Sequence, residues 1–176
     1  MNSLAAIQKT FRVFSVLSKV AMILSFVWAG LTALGLLCGI VWYSGGGAVM
    51  AGRETLLYLT AANSLSQMMG VLLTDLVFAL TDGVLFLLAW RYFRQEQADG
   101  TPFTRNGAEQ IRQLGIRTIV LPLVAVILAA LFREAFGLTA AEEGDNLWGV
   151  GLGIVLILAS LVFRYGAELE GRESVA

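Results

Sequence analysis

The sequence predicts an all-α fold, an integral membrane four-helix bundle with both termini in the cytoplasm. Apolar residues make up 57% of the 176 residues and charged residues only 14%, well below the roughly 25% of a soluble domain. Four apolar stretches approach or reach the length of a membrane span. Most basic residues flank these stretches on one side, which fixes their direction. We therefore interpret residues 1–176 as a single four-span membrane domain.

The first two spans are predicted at residues 20–43 and 68–90. The first contains no charged residue, and as a helix it measures about 36 Å, against a hydrocarbon core of about 30 Å. A cleavable signal peptide is the alternative, because Lys9, Arg12 and Lys19 precede this segment. Signal peptides have apolar regions of only about 7–15 residues, so a span is favoured.

The third and fourth spans, at residues 114–132 and 147–163, are less regular. Pro122 lies in the third, where it removes one helical hydrogen bond and predicts a kink that neighbouring helices can accommodate. The fourth is close to the lower limit of about 17 residues for a helix that crosses a bilayer. It is predicted to continue as a helix toward Glu170.

Small residues at four-residue spacing predict close contacts between helices. Gly35 and Gly39 form one such pair in the first span, and Gly149 and Gly153 form another in the fourth. Small side chains let helix backbones approach closely, which drives association where lipid offers no hydrophobic effect. Packing within the chain is the favoured interpretation. A parallel homo-oligomer that uses the same faces is the alternative.

The basic residues predict the orientation of the spans, because they stay on the cytoplasmic side of a membrane. With a cytoplasmic loop at 91–113 and outer loops at 44–67 and 133–146, only Arg53 and Arg133 lie outside. The other ten of the 12 basic residues then lie inside: Lys9, Arg12, Lys19, Arg91, Arg94, Arg105, Arg112, Arg117, Arg164 and Arg172.

Two acids in the second span are the first candidate site. Asp75 and Asp82 are seven residues apart, which places both carboxylates on one helical face. That face is predicted to point inward, because a charged carboxylate facing lipid costs several kcal/mol, about 2.5–3.5 on insertion scales. Arg117 enters the next span from the same side and could pair with Asp82. The alternative is that each charge snorkels or is neutralised alone.

The composition excludes several kinds of catalytic site. The chain has no histidine, and Cys38 is its only cysteine, so Cys/His zinc sites, internal disulfides and histidine-based triads cannot form within one chain. Asp75 and Asp82 are about 10.5 Å apart along a helix, too far for an aspartic dyad. The net charge of −1 gives no general attraction to nucleic acid. We therefore expect no enzyme activity, cofactor, metal site or direct nucleic-acid binding.

Two motifs carry a resemblance to a known family. GTPFTRNGAEQIRQLG at residues 100–115 and LVFRYGAELE at residues 161–170 occur in order. With them the whole chain resembles a family of uncharacterised bacterial four-span inner-membrane proteins, described as a domain of unknown function. Two features depart from the family pattern. Asn106-Gly107 stands where relatives tend to carry an acid and an asparagine, and the tail GRESVA lacks their acidic stretch.

The resemblance implies a four-span fold and a location in the bacterial plasma (inner) membrane. Many members of that family have a neighbouring gene for a small helix-turn-helix regulator, so the resemblance also implies such a partner. The leading functional hypothesis is therefore a non-enzymatic membrane anchor or regulator. It would dock a cytoplasmic partner, such as that regulator, through the 91–113 loop and the C-terminal segment. The predicted docking residues are Phe103, Arg105, Arg112, Arg164, Tyr165 and Glu168.

The alternative hypothesis is a small proton-linked transporter or channel component. It would use Asp75 and Asp82 as its proton site, because intramembrane acids often mark proton pathways. Transport by so small a protein requires several copies. Since the basic residues fix one orientation, those copies would form a parallel assembly.

Overall fold

The computed structural model describes residues 3–44, 57, 60, 62, 64–99, 105–138, 151, 153–162 and 165. The regular structure in this part of the chain is entirely helical. Three long helices, α1 (Ser3–Tyr43), α2 (Leu65–Asp99) and α3 (Arg105–Ala135), are followed by a short apolar helix, α4 (Gly153–Val162). The all-α prediction is confirmed for these residues.

The three long helices are long and apolar enough to cross a membrane. The qualifying segments are Lys9–Trp42, Leu65–Gln97 and Gly107–Ala135, and they overlap the first three predicted spans. Many large apolar side chains on their surfaces are exposed; Leu24, for example, is 64% exposed and Ile127 is 60% exposed. Apolar surface this extensive is typical of helices that contact lipid. The described part of α4 is shorter than the roughly 17 residues a span needs, so the fourth span stays a prediction.

The long helices extend well beyond the predicted spans. They contain 41, 35 and 31 residues, whereas about 20 residues cross the hydrocarbon core. Helix α2 includes residues 91–99, in the segment that the sequence assigns to a loop. Helix α3 begins at Arg105, where Thr104 as an N-cap predicts the start of a helix that leads into the third span. The sequence between Arg91 and Asp99 has no glycine or proline and is rich in good helix formers, which explains why the helix continues.

The described residues pack in two units. The first unit lies within residues 1–23, 83–122 and 147–176, and the second within residues 24–82 and 123–146. Each long helix contributes residues to both.

In the first unit, the beginning of α1 packs against the end of α2. The Phe93 ring lies 6.1 Å from the Phe11 ring and 5.6 Å from the Phe14 ring, measured between centroids. The side-chain amide of Gln97 donates a hydrogen bond to the backbone carbonyl of Phe11, at 2.9 Å. An apolar contact and a polar one therefore fix the same two helix segments.

The first unit also contains a close crossing of α3 and α4. A Cβ atom built on Gly115 would lie 3.0 Å from the carbonyl oxygen of Gly153, and one built on Gly153 would lie 2.8 Å from that of Gly115. These distances are shorter than side-chain carbons tolerate. The two glycines therefore allow the backbones to touch, as small residues do between membrane helices.

In the second unit, the Gly35 and Gly39 pair packs within the chain. A Cβ atom on Gly35 would lie 3.2 Å from Leu72, and one on Gly39 would lie 3.1 Å from Met68. Met68 and Leu72 are buried together with Trp42, as the core of this unit. The first glycine pair therefore contacts α2 of the same chain, which agrees with the favoured interpretation of its spacing.

Gly137 terminates α3 in the second unit. Its φ of 65° lies in the left-handed region that glycine adopts without a Cβ penalty. The N–H of Leu138 donates to the carbonyl of Arg133 at 2.9 Å, and the N–H of Gly137 donates to the carbonyl three residues before it at 3.2 Å. This is a Schellman motif. It brings Phe136 and Leu138 against Gly70 of α2, whose Cβ would lie 2.7 Å from Phe136.

Candidate functional site

Asp75 and Asp82 both line one open groove in the second unit. The groove has a volume of about 490 Å³. Its other lining residues come from one turn of α1 and from the same face of α2: Leu24, Ser25, Val27, Trp28, Phe78 and Ala79. The two acids are therefore on one face, at the separation of two helical turns, and the wall opposite them is provided by α1.

The two acids differ in exposure. Asp75 is half-buried, whereas Asp82 is exposed. Between them on the same face, Ala79 is only 6% exposed. The small apolar residue thus takes the packed position, and Asp82 lines the groove. That this face points toward the interior of a four-span bundle stays a prediction.

The threonines beside these acids are satisfied within α2. The Thr74 hydroxyl donates to the carbonyl of Gly70 at 3.0 Å, and the Thr81 hydroxyl donates to that of Val77 at 2.8 Å. Their hydrogens are therefore directed at the helix backbone. The groove presents two carboxylates, the Ser25 hydroxyl and an indole, since Trp28 is 56% exposed. Such a site can hold a proton or contact a cationic ligand.

The described residues contain no group of three or more His, Cys, Asp or Glu side chains that could hold a metal ion. The absence of a metal site was predicted for the entire chain, including the segments outside the described residues. It stays a prediction, because the segments outside the described residues contain further acids such as Glu142, Glu143 and Asp145.

Arg117 lies in the first unit and lines a different, polar groove. That groove has a volume of about 190 Å³ and lies between α2 and α3. Its lining residues are Leu88, Arg91, Tyr92, Gln95, Gln110, Gln113, Leu114 and Arg117. The pairing of Arg117 with Asp82 would join residues of the two units and stays a prediction.

Two of the predicted docking residues have described side chains. Arg112 forms an ion pair with Glu109 at 3.5 Å, and these side chains are 56% and 53% exposed. An exposed pair of this kind contributes at most about 1 kcal/mol, so Arg112 is free to exchange partners. Tyr165 is 65% exposed. Phe103, Arg164 and Glu168 and the side chain of Arg105 lie outside the described residues.

The polar groove of the first unit was not predicted, because the second helix was expected to end at Trp90. As a helix, residues 91–99 of α2 place Arg91 and Gln95 four residues apart on one face, and Gln110, Gln113 and Arg117 follow at three- and four-residue spacing on α3. That spacing was the available signal. The helix also buries Glu96, which is 2% exposed and lies one turn after Tyr92.

Within the described residues, fold and sites together define a class, a helical membrane-type protein with three candidate spans, a groove lined by two acids and a groove lined by two arginines. The chain matches no family model, and a comparison with curated proteins and with solved structures also finds no match. The resemblance carried by residues 100–115 and 161–170 therefore stays a prediction.

Proposed function

We propose that this protein is a non-enzymatic anchor or regulator in the bacterial inner membrane, with four spans and both termini in the cytoplasm. It docks a cytoplasmic partner protein. The observation that supports this proposal is the length of α2 and α3. At 1.5 Å per residue, the 35 residues of α2 extend about 52 Å, well beyond a hydrocarbon core of about 30 Å. The part of α2 beyond the predicted span, residues 91–99, contains charged residues and is helical. A helix that extends out of the membrane favours a preformed docking surface.

The distribution of charge supports the orientation. Among the basic residues with described side chains, only Arg133 belongs to the second unit. The first unit contains the other seven, which are Lys9, Arg12, Lys19, Arg91, Arg94, Arg112 and Arg117. Because lysine and arginine near span ends remain inside, the first unit is assigned to the cytoplasmic side.

We expect reporters at both termini to be active only in the cytoplasm. A fluorescent protein that folds only in the cytoplasm, fused after Ala176 or before Met1, should therefore emit light. An alkaline phosphatase inserted at residue 50 should be active, because the 44–67 loop is outside. Phosphatase activity from the C-terminal fusion would contradict the orientation and, with it, the four-span count.

We expect the charge reversal Arg112→Glu and the truncation Tyr165→Ala to weaken docking by about tenfold each, the effect of losing one charge-assisted or aromatic contact. The measurement is co-purification of the full-length protein with a small helix-turn-helix regulator, the kind of partner that the resemblance implies. Arg133→Glu is the matched control, since it makes the same reversal at a residue assigned to the outer side. Equal retention of the regulator by all three variants and the unmodified protein would contradict the proposed surface.

A second function, proton-linked transport by a parallel homo-oligomer, is favoured by one observation. Both intramembrane acids line the same groove, where a carboxyl group can bind a proton and release it. Reconstituted in liposomes with a pH gradient, the protein would then carry a proton flux that Asp82→Asn reduces at least tenfold, since the amide cannot release a proton. Glu109→Gln, an exposed acid outside the groove, is the control. Equal fluxes in both variants would exclude this function.

A further inference from the structure

Two arginines and no acidic residue line the polar groove of the first unit, among the residues that the structure describes. Arg91 from α2 and Arg117 from α3 line it from opposite sides, and both are exposed. Within the part of the chain that the structure describes, no Asp or Glu lines this groove and neither arginine forms an ion pair. Of the nearby charged residues, Arg94 stacks over the Trp90 ring at 5.4 Å and Glu109 pairs with Arg112. Glu96 is buried one turn after Tyr92 and does not line the groove.

Two guanidinium groups that face one small groove repel each other unless an anion lies between them. The remaining lining supplies hydrogen-bond donors, namely the carboxamides of Gln95, Gln110 and Gln113 and the hydroxyl of Tyr92. Guanidinium groups match the oxygen spacing of phosphate and bind it through two parallel hydrogen bonds. The chemistry of the lining therefore fits a phosphate group better than a cation or an apolar ligand.

We propose that this groove binds a phosphate group, and that its source is the headgroup of an anionic phospholipid. The groove begins where the apolar run of α2 ends, next to Trp90, and tryptophan is enriched at the level of lipid headgroups. Leu88 and Leu114 form its apolar border, where the first carbons of the acyl chains can pack. Most of the lining residues lie in the 91–113 segment that is proposed to dock a partner protein, but binding of a phosphate group does not depend on that function.

The test is a binding measurement by native mass spectrometry on the full-length protein in a non-ionic detergent. Three probes are compared: phosphatidylglycerol, diacylglycerol with the same acyl chains, and inorganic phosphate. We expect one phosphatidylglycerol molecule per chain to be retained and diacylglycerol to be lost. Arg91→Gln and Arg117→Gln should each weaken retention about tenfold, whereas Arg12→Gln, an exposed arginine outside the groove, should leave it unchanged.

A further variant guards against misfolding. Gln113 is exposed, so Gln113→Glu should fold normally while its carboxylate repels the anion and reduces retention. Displacement of the lipid by inorganic phosphate would support the phosphate site and assign it to the free anion. Equal retention of diacylglycerol and phosphatidylglycerol, or an equal loss in Arg12→Gln, would overturn the proposal. The proposal would also be overturned if neither phosphatidylglycerol nor inorganic phosphate bound to the protein.

Discussion

Gly153→Leu is expected to destabilise the protein by about 1–3 kcal/mol, the usual effect of forcing a larger side chain into a packed contact. The Cβ atom alone would lie 2.8 Å from the carbonyl oxygen of Gly115 and would overlap the Ile119 side chain. The oxygen belongs to the backbone of α3, so it cannot rotate away as a side chain would. Relief requires α3 and α4 to separate, which exposes their contact surface.

Gly151→Leu is the matched control for this substitution. It makes the same change two residues away, at an exposed position where a Cβ atom would meet nothing within 4 Å. We expect its free energy of unfolding to stay within about 0.5 kcal/mol of the unmodified protein. Both values can be measured by reversible unfolding in mixed micelles, followed by circular dichroism. Equal destabilisation by the two substitutions would show that the glycine contact does not hold α4 in place.

The helical class and the three candidate spans could be predicted because they depend on composition over long stretches. A run such as residues 20–43 has no charge, and only a helix satisfies its backbone groups in lipid. The partners of the small residues could not be predicted. Gly35 and Gly39 show that this face of α1 allows close approach, but no local pattern identifies Leu72 and Met68 as the residues that contact it.

The ends of the helices were predicted less well, for a physical reason. The predicted second span ends at Trp90, where the apolar run ends, whereas α2 ends at Asp99. Apolar length reports the thickness of the membrane, but a helix ends where its backbone hydrogen bonds are replaced or capped. Residues 91–99 are helix formers, and the first glycine and the first proline after them in the sequence are Gly100 and Pro102. Helix propensity was the appropriate signal here, rather than hydropathy.

The groove lined by Asp75 and Asp82 could be predicted only in part. Seven-residue spacing is enough to place Asp75 and Asp82 on one helical face, and both line one groove. The opposite wall, which includes Ser25 and Trp28 of α1, depends on how α1 is rotated about its axis. Tertiary contacts such as those of Gly35 and Gly39 determine this rotation of α1. The sequence of one span therefore does not predict which of its residues face the groove.

Phe93→Ala is expected to release the beginning of α1 from α2 and to cost about 1–3 kcal/mol, somewhat less than truncation of a fully buried phenylalanine. The Phe93 ring packs against Phe11 and Phe14, and aromatic pairs contribute about 0.5–1.5 kcal/mol beyond the area they bury. The remaining direct bond, from Gln97 to the Phe11 carbonyl, would then be exposed to competing solvent. Amide hydrogen exchange across residues 9–23 should therefore accelerate.

Phe86→Ala provides the comparison that separates packing from the mere loss of an aromatic ring. Phe86 lies in the same helix and in the first unit, but its side chain is 38% exposed, on a surface suited to lipid. Its truncation removes a ring that lipid can replace, so hydrogen exchange across residues 9–23 should stay unchanged. If both variants accelerated exchange equally, the ring contacts of Phe93 would not be what fixes α1. The Gln97 hydrogen bond would then be the interaction to remove next.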